Sequence, residues 1–284
     1  MYKRQVQAPK TVLLDYRFNA MAASTFRFAT FGAKSHVYFG VPLLQYLSPE
    51  EAECVLAHEV AHHIGRDVVI GAKESRLVQM WNQVLDKGRT GYSGAPMRPF
   101  FRWYMPRLEA LSTVLKRENE HDADRLAASV MGVETSARSL MRIEVGASLW
   151  TKPFRDDYWK RSADLPEAPS EFLRSLESWP LPEPDKVAAA VMEACEATTG
   201  PYDSHPTLAD RLTRIDRSLD PRSDDGRKRL VGLCREQPVE RAMHAWFAPR
   251  SKAQFLKLFD IEIARAEDHD WNERRAVHLS LIHI

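Results

Sequence analysis

Residues 58–62 read His-Glu-Val-Ala-His, and no other feature of the chain restricts its fold as strongly. Two histidines four positions apart can reach one metal ion when the chain between them is helical, because residues i and i+4 of a helix share a face. The glutamate between them sits beside His58, within reach of a water on that metal. Two imidazoles, one carboxylate base and one activated water are the working parts of a zinc hydrolase. The flanking residues predict the helix. Ser48 is a suitable N-cap, Pro49 suits the first helical position, and Glu51 completes a capping box. Ala52, Val55, Leu56 and Val60 then recur at helical spacing, and Gly65 is a natural stop.

Zinc needs a third protein ligand. A second predicted helix, 106–131, carries Glu118-Asn-Glu120-His121-Asp122-Ala-Asp124. Spacing alone does not choose among these side chains: Glu118 and Asp122 share one face, Glu120 and Asp124 another, and His121 is a further candidate. Cys54 lies one turn before His58 and reads as a small buried packing residue.

Composition narrows the remaining classes. Net charge is +1 over 284 residues, which gives no electrostatic case for nucleic acid or acidic membranes. A mean hydropathy of −0.41 and the lack of an 18-residue apolar run exclude a transmembrane helix within these residues. Three separated cysteines, Cys54, Cys195 and Cys234, indicate neither a zinc ribbon nor a disulfide framework.

Residues 11–15, 25–29 and 36–40 alternate apolar and polar and predict two or three strands of a small antiparallel sheet. Helices are expected at 73–85, 106–131, 134–150, 186–198, 207–219 and 238–266. Residues 87–99 read as a loop, and 151–184, with six prolines, as an irregular segment packed by aromatics. Leu108, Leu111, Leu115, Leu126 and Val130 are the expected buried stripe of the long helix. Residues 1–5 and 279–284 read as translated sequencing-adaptor read-through, so the chain is expected to be an internal piece of a longer gene, and His283 is left out of any site.

The two motifs together resemble the HtpX-type zinc metallopeptidases, the family that includes the type I CAAX prenyl proteases (peptidase family M48). The resemblance rests on His58-Glu-x-x-His62 followed by Glu120-x-x-Ala-Asp124, on Leu43-Leu-x-x-Leu-Ser-Pro-Glu-Glu51, and on Ser204-His205-Pro206-Thr-Leu-Ala-Asp-Arg211. It extends over roughly residues 11–220. It is nearest to long bacterial members in which Phe100-Phe-Arg-Trp-Tyr-x-Pro106 precedes the third ligand. His63 departs from the pattern without a role, and no hydrophobic spans separate the motifs.

The resemblance implies a zincin-like (gluzincin) α+β fold, mostly helical, with a small antiparallel sheet packed on the metal helix. It implies a catalytic domain over 6–220 and a C-terminal helical extension over 221–278. His58, His62 and Glu120 would bind one Zn2+ per chain, Glu59 would act as general base, and Asp124 would accept an imidazole N–H. His205 would serve catalysis, by stabilising an oxyanion or capping the metal; read from residues alone, its segment is equally a turn that starts a helix with Ser204 as cap. Arg211 is expected at the surface rather than on an active-site carboxylate. The implied activity is metalloendopeptidase cleavage of unfolded or damaged polypeptides, with residues 25–40 as the edge that holds the substrate strand. The alternative is a chaperone-like scaffold that uses the aromatic region 150–184. The longer relatives imply a membrane-associated parent with this domain soluble on the cytoplasmic face.

Overall fold

The computed structural model describes residues 11–26, 33–65, 98–162, 165, 170–198, 200, 203, 205–236, 240–257, 259–261 and 263. The expected helix 73–85, most of the 87–99 loop and both adaptor-like ends lie outside these residues. The sheet has three strands, β1 (Thr11–Asp15), β2 (Ala20–Phe26) and β3 (Ala33–Gly40), in the order β1-β3-β2. It is mixed rather than antiparallel. β2 runs antiparallel to β3, but β1 is parallel to it, pairing Thr11 with His36 and Asp15 with Gly40. The turn after β1 carries the chain across β3 instead of back along it. Gly40 makes that crossing possible: its N–H donates to the Asn19 carbonyl at 2.8 Å, and a Cβ there would stand 1.9 Å from the Arg17 carbonyl oxygen.

A short helix α1 (Val41–Tyr46) leads from β3 to α2 (Pro49–Gly65), which carries the pentad. The capping box forms as the sequence predicts. Ser48 Oγ accepts from the Glu51 N–H at 3.2 Å, and the Ser48 N–H donates to Glu51 Oε2 at 3.0 Å. The other Glu51 oxygen, buried, pairs with Arg142 Nε at 3.0 Å. The start of α2 is therefore bolted to α4 (Val133–Gly146).

Between them runs α3 (Arg98–Met131), 34 residues long, with Pro106 inside it and Gly132 ending it at φ 88°. It begins eight residues before the expected start. Its buried face also differs from expectation. Leu115, Leu126 and Val130 are exposed, whereas Thr113, Glu120, His121, Ala123, Asp124 and Ala127 face inward. Small and polar side chains occupy the contact with α2, and Leu126 and Val130 are left on the outer side.

Residues 151–162 are helical, contrary to the irregular segment expected over 151–184. A π-turn over Ala147–Thr151 continues into α5 (Lys152–Ser162), with Lys152 N–H reaching back to the Ala147 carbonyl. The widened turn falls just before Pro153, whose ring would collide with a carbonyl four residues back in a regular helix. Of the described prolines here, Pro153 and Pro184 sit at helix starts and Pro180 and Pro182 in a link, so they break no helix. α6 (Phe172–Ser178), α7 (Pro184–Cys195), α8 (Leu208–Ile215), α9 (Asp224–Arg235) and α10 (Ala242–Trp246) follow, and residues 249–257 are again helical.

Two apolar clusters flank α2. One joins the sheet, α1, α5 and α6, centred on Trp150 stacked on Tyr46 at 5.0 Å. The other joins α4, α7, α8 and α9. The region beyond residue 220 belongs to both. Leu230 and Leu233 enter the second cluster, and Met243 and Leu256 enter the first. The Ala242 N–H bonds to the Leu47 carbonyl at 2.9 Å. The buried Asp260 carboxylate caps α6 by accepting from the Leu173 N–H at 2.6 Å.

Candidate metal centre

Three elements meet at the site: α2 packs along the sheet, α3 crosses α2, and α8 closes against α3. α2 presents His58 and His62 one turn apart, their Nε2 atoms 3.2 Å from each other. α3 brings Glu120 against both, with Oε2 at 3.6 Å from His58 Nε2 and Oε1 at 3.7 Å from His62 Nε2. The three donors lie within 4.8 Å of one another. Ligands about 2.05 Å from a tetrahedral zinc stand about 3.3 Å apart. The cluster thus fits a zinc-sized ion after movements of a few tenths of an ångström.

The other acidic residues of α3 are engaged elsewhere. Glu118 pairs with Arg214 at 3.2 Å, and Asp122 with Arg125 one turn on. His121 is buried outside the cluster, and its Nδ1 has no hydrogen-bond partner among the described residues. The geometry therefore favours Glu120 among the candidates that spacing left open.

Asp124 lies directly behind His58, its Oδ1 3.0 Å from Nδ1. This carboxylate holds the ring with Nε2 turned toward Glu120 and His62. Burial alone would push His58 down, but the hydrogen bonds to Asp124 and Glu120 outweigh it, and the imidazole is raised to about 9. Burial also pushes Glu120 and Asp124 up. Hydrogen bonds from His205 and His58 to the first, and from Arg211 and His58 to the second, overcome it, and both carboxyls are held below the ordinary range.

Arg211 corrects the sequence reading. It is not a surface residue: its Nε and Nη2 each bond Asp124 at 2.7 Å, and Nη2 lies 3.4 Å from Glu120 Oε2. The signal was present, because Arg211 falls between Leu208, Leu212 and Ile215 on the apolar stripe of α8. A guanidinium on such a stripe is buried and needs a carboxylate. The cap of α8 is Thr207, whose Oγ1 accepts from the Asp210 N–H at 3.2 Å; Ser204 lies outside the described residues.

His205 reaches the site from the segment before α8, with Nδ1 3.3 Å from Glu120 Oε1 and an exposed ring. The hydrogen bond to Glu120 raises its pKa against the effect of burial. Cys54 packs against Ser136 Oγ at 3.2 Å as a buried thiol, pushed up by its burial.

These residues line a cavity of about 1150 Å³, which Glu59 also borders from α2. One wall is the outer edge of the sheet. β3 is the central strand of the described sheet, so the edge at the cavity is β2, with Asn19–Ala22 in the lining; of the 25–40 stretch expected from sequence, Thr25 and Phe26 belong to this strand.

No curated protein and no solved structure matches the chain. The family model of Peptidase family M48 matches residues 3–219. With that match covering about three quarters of the chain, and with the helical pentad and the α3 carboxylate folded into one metal-sized cluster, the chain belongs to peptidase family M48, a family of metallopeptidases.

Proposed function

We propose that the protein is a zinc-dependent metalloendopeptidase that cleaves extended, unfolded polypeptides. The observation that carries this reading is the convergence of His58, His62 and Glu120 within 4.8 Å at the floor of a cavity bordered by a sheet edge. His58, His62 and Glu120 are the residues that would hold the ion. Two imidazoles and one carboxylate are a donor set suited to zinc with a coordination position left open. Zinc bound there supplies a Lewis acid that lowers the pKa of water toward neutrality and polarises a carbonyl.

The chain's own groups carry the rest. Glu59 takes the proton of the attacking water and returns it to the amide nitrogen that leaves. Asp124 keeps the His58 ring in one tautomer, and Arg211 holds Asp124 ionised so that it stays an acceptor. His205, whose pKa the hydrogen bond to Glu120 raises, offers an N–H toward charge that develops on the carbonyl oxygen. The edge of β2, unpaired among the described residues, pairs with the substrate backbone, which requires an extended chain and favours unfolded substrates.

The test is zinc content and casein cleavage measured on the same samples of wild type, Glu120→Gln and Glu59→Gln. The reading expects about one zinc per chain in wild type and in Glu59→Gln, little in Glu120→Gln, and cleavage in wild type only. Stoichiometric zinc in a wild type that does not cleave would refute the enzymatic reading and leave a scaffold.

A further inference from the structure

The exposed outer part of α3 has a composition of its own. Phe100, Trp103 and Tyr104 are 48%, 55% and 37% exposed. Phe100 and Tyr104 stack with ring centres 5.5 Å apart and planes 10° from parallel. The Arg107 guanidinium lies 4.5 Å from the centre of the Trp103 ring. The first acidic residue of the helix is Glu109, so this end is basic as well as aromatic.

The face leads into the cleft. Phe100, Tyr104, Leu108 and Leu115 follow one another at spacings of four, four and seven, which is one row along a helix. Leu108 and Leu115 already line the cavity that holds Glu120. Tyr104 stands sixteen residues before Glu120, about 24 Å along the axis at 1.5 Å per residue. An extended polypeptide crosses that distance in about seven residues.

We infer that the aromatic and arginine face of α3 is a docking surface for the substrate chain itself, about seven residues from the scissile bond. The inference rests on the endopeptidase reading above and deepens it. The occupant is an extended segment with apolar side chains for the ring platform and acidic ones for Arg107. Continuity of the row with the cavity wall argues for the substrate, and the basic charge argues for acidic neighbours in it. Such a surface favours long unfolded chains over short peptides by raising local concentration at the cleft.

The experiment compares wild type with Trp103→Gln/Tyr104→Gln on two fluorogenic peptides that share one six-residue cleavage sequence. The second peptide carries ten further apolar and acidic residues on each side. The double variant is expected to raise KM about tenfold for the long peptide while leaving the six-residue peptide unchanged. Equal effects on both peptides, or none on either, would overturn the inference. Binding of fluorescent casein to Glu59→Gln, followed by anisotropy, reads the surface without turnover and should weaken about tenfold when the two Gln substitutions are added. If the wild type cleaves neither peptide, the endopeptidase reading fails, and the casein measurement still decides the docking surface. Adsorption to phosphatidylserine vesicles that the double variant loses, with casein binding unchanged, would make the face a lipid contact and overturn the inference.

Discussion

Replacing Arg211 with methionine keeps most of the side-chain volume and removes the charge that balances Asp124. The pair is deeply set, with the Arg211 side chain 15% and the Asp124 side chain 2% exposed, and it is bonded twice at 2.7 Å. Removing one partner of such a pair leaves a buried carboxylate facing the apolar stripe of α8, at a cost of about 3–5 kcal/mol. For a chain of this length that corresponds to a fall in melting temperature on the order of 10 °C. Asp124→Asn combined with Arg211→Met removes both charges and should recover most of the loss, because paired removal is close to neutral. Zinc affinity should not recover, since His58 has lost its anionic acceptor, and it should stay about 10–100-fold weaker. Urea unfolding and competition with a chromogenic chelator measure the two quantities on the same proteins. The acid limb adds a sign test. The Asp124 carboxyl is held below its ordinary range, so its contribution is present above that range and is lost as pH falls through the depressed value. Arg211→Met should start to lose stability at a higher pH than wild type. A single variant within about 1 kcal/mol of wild type, or a double variant no more stable than the single, would refute the argument.

Other outcomes follow from the same geometry. His58 is raised to about 9, so zinc must displace its proton at neutral pH; calorimetry in buffers of different ionisation enthalpy should find about one proton released per zinc near pH 7, and none above about pH 10. In the zinc-stripped protein the same proton stabilises the fold below the ordinary histidine range, and that contribution should disappear as pH rises through about 9, which chemical unfolding at pH 7 and pH 10 compares. Glu59→Gln should lower kcat by about 10²–10⁴ with zinc content unchanged in elemental analysis. Gly40→Ala would drive a Cβ to 1.9 Å from the Arg17 carbonyl oxygen, a backbone atom that cannot swing aside; a loss of more than about 3 kcal/mol in unfolding free energy is expected. Ending the chain at Leu219 strips Met243 and Leu256 from the first apolar cluster and Leu230 from the second; circular dichroism should then show no cooperative melt.

What could be read from sequence depended on whether a residue's partner was near it in the chain. The start of α2 was legible to the residue, because Ser48, Pro49 and Glu51 cap one another over a single turn. The pentad was legible for the same reason, since four residues of helix fix its geometry. Glu120 was not separable from Glu118, His121 and Asp122 by spacing, and only the crossing of α3 over α2 separates them. Arg211 was misjudged because its partner lies 87 residues away, although its place on the apolar stripe of α8 gave the sign. The parallel pairing of β1 with β3 left no local mark either, since alternation reports a strand but not its direction. In α3 the apolar count misled: Leu126 and Val130, expected in a core, are exposed, and the face against α2 carries small and polar side chains instead. Pro153 misled in the opposite way, because a π-turn makes room for it.

The bond from Ala242 to Leu47 gives the molecule an order in time. Leu43, Leu44 and Leu47, which steer the chain into α2, are finished only by residues made 195 positions later. At a synthesis rate of about 5–20 residues per second, the interval is about 10–40 s. For most of it the pentad and the sheet edge are already made, but the wall behind them lacks Met243 and Leu256. A peptidase assembled in this order completes the packing behind its metal helix last, after the residues that line the cleft have been made.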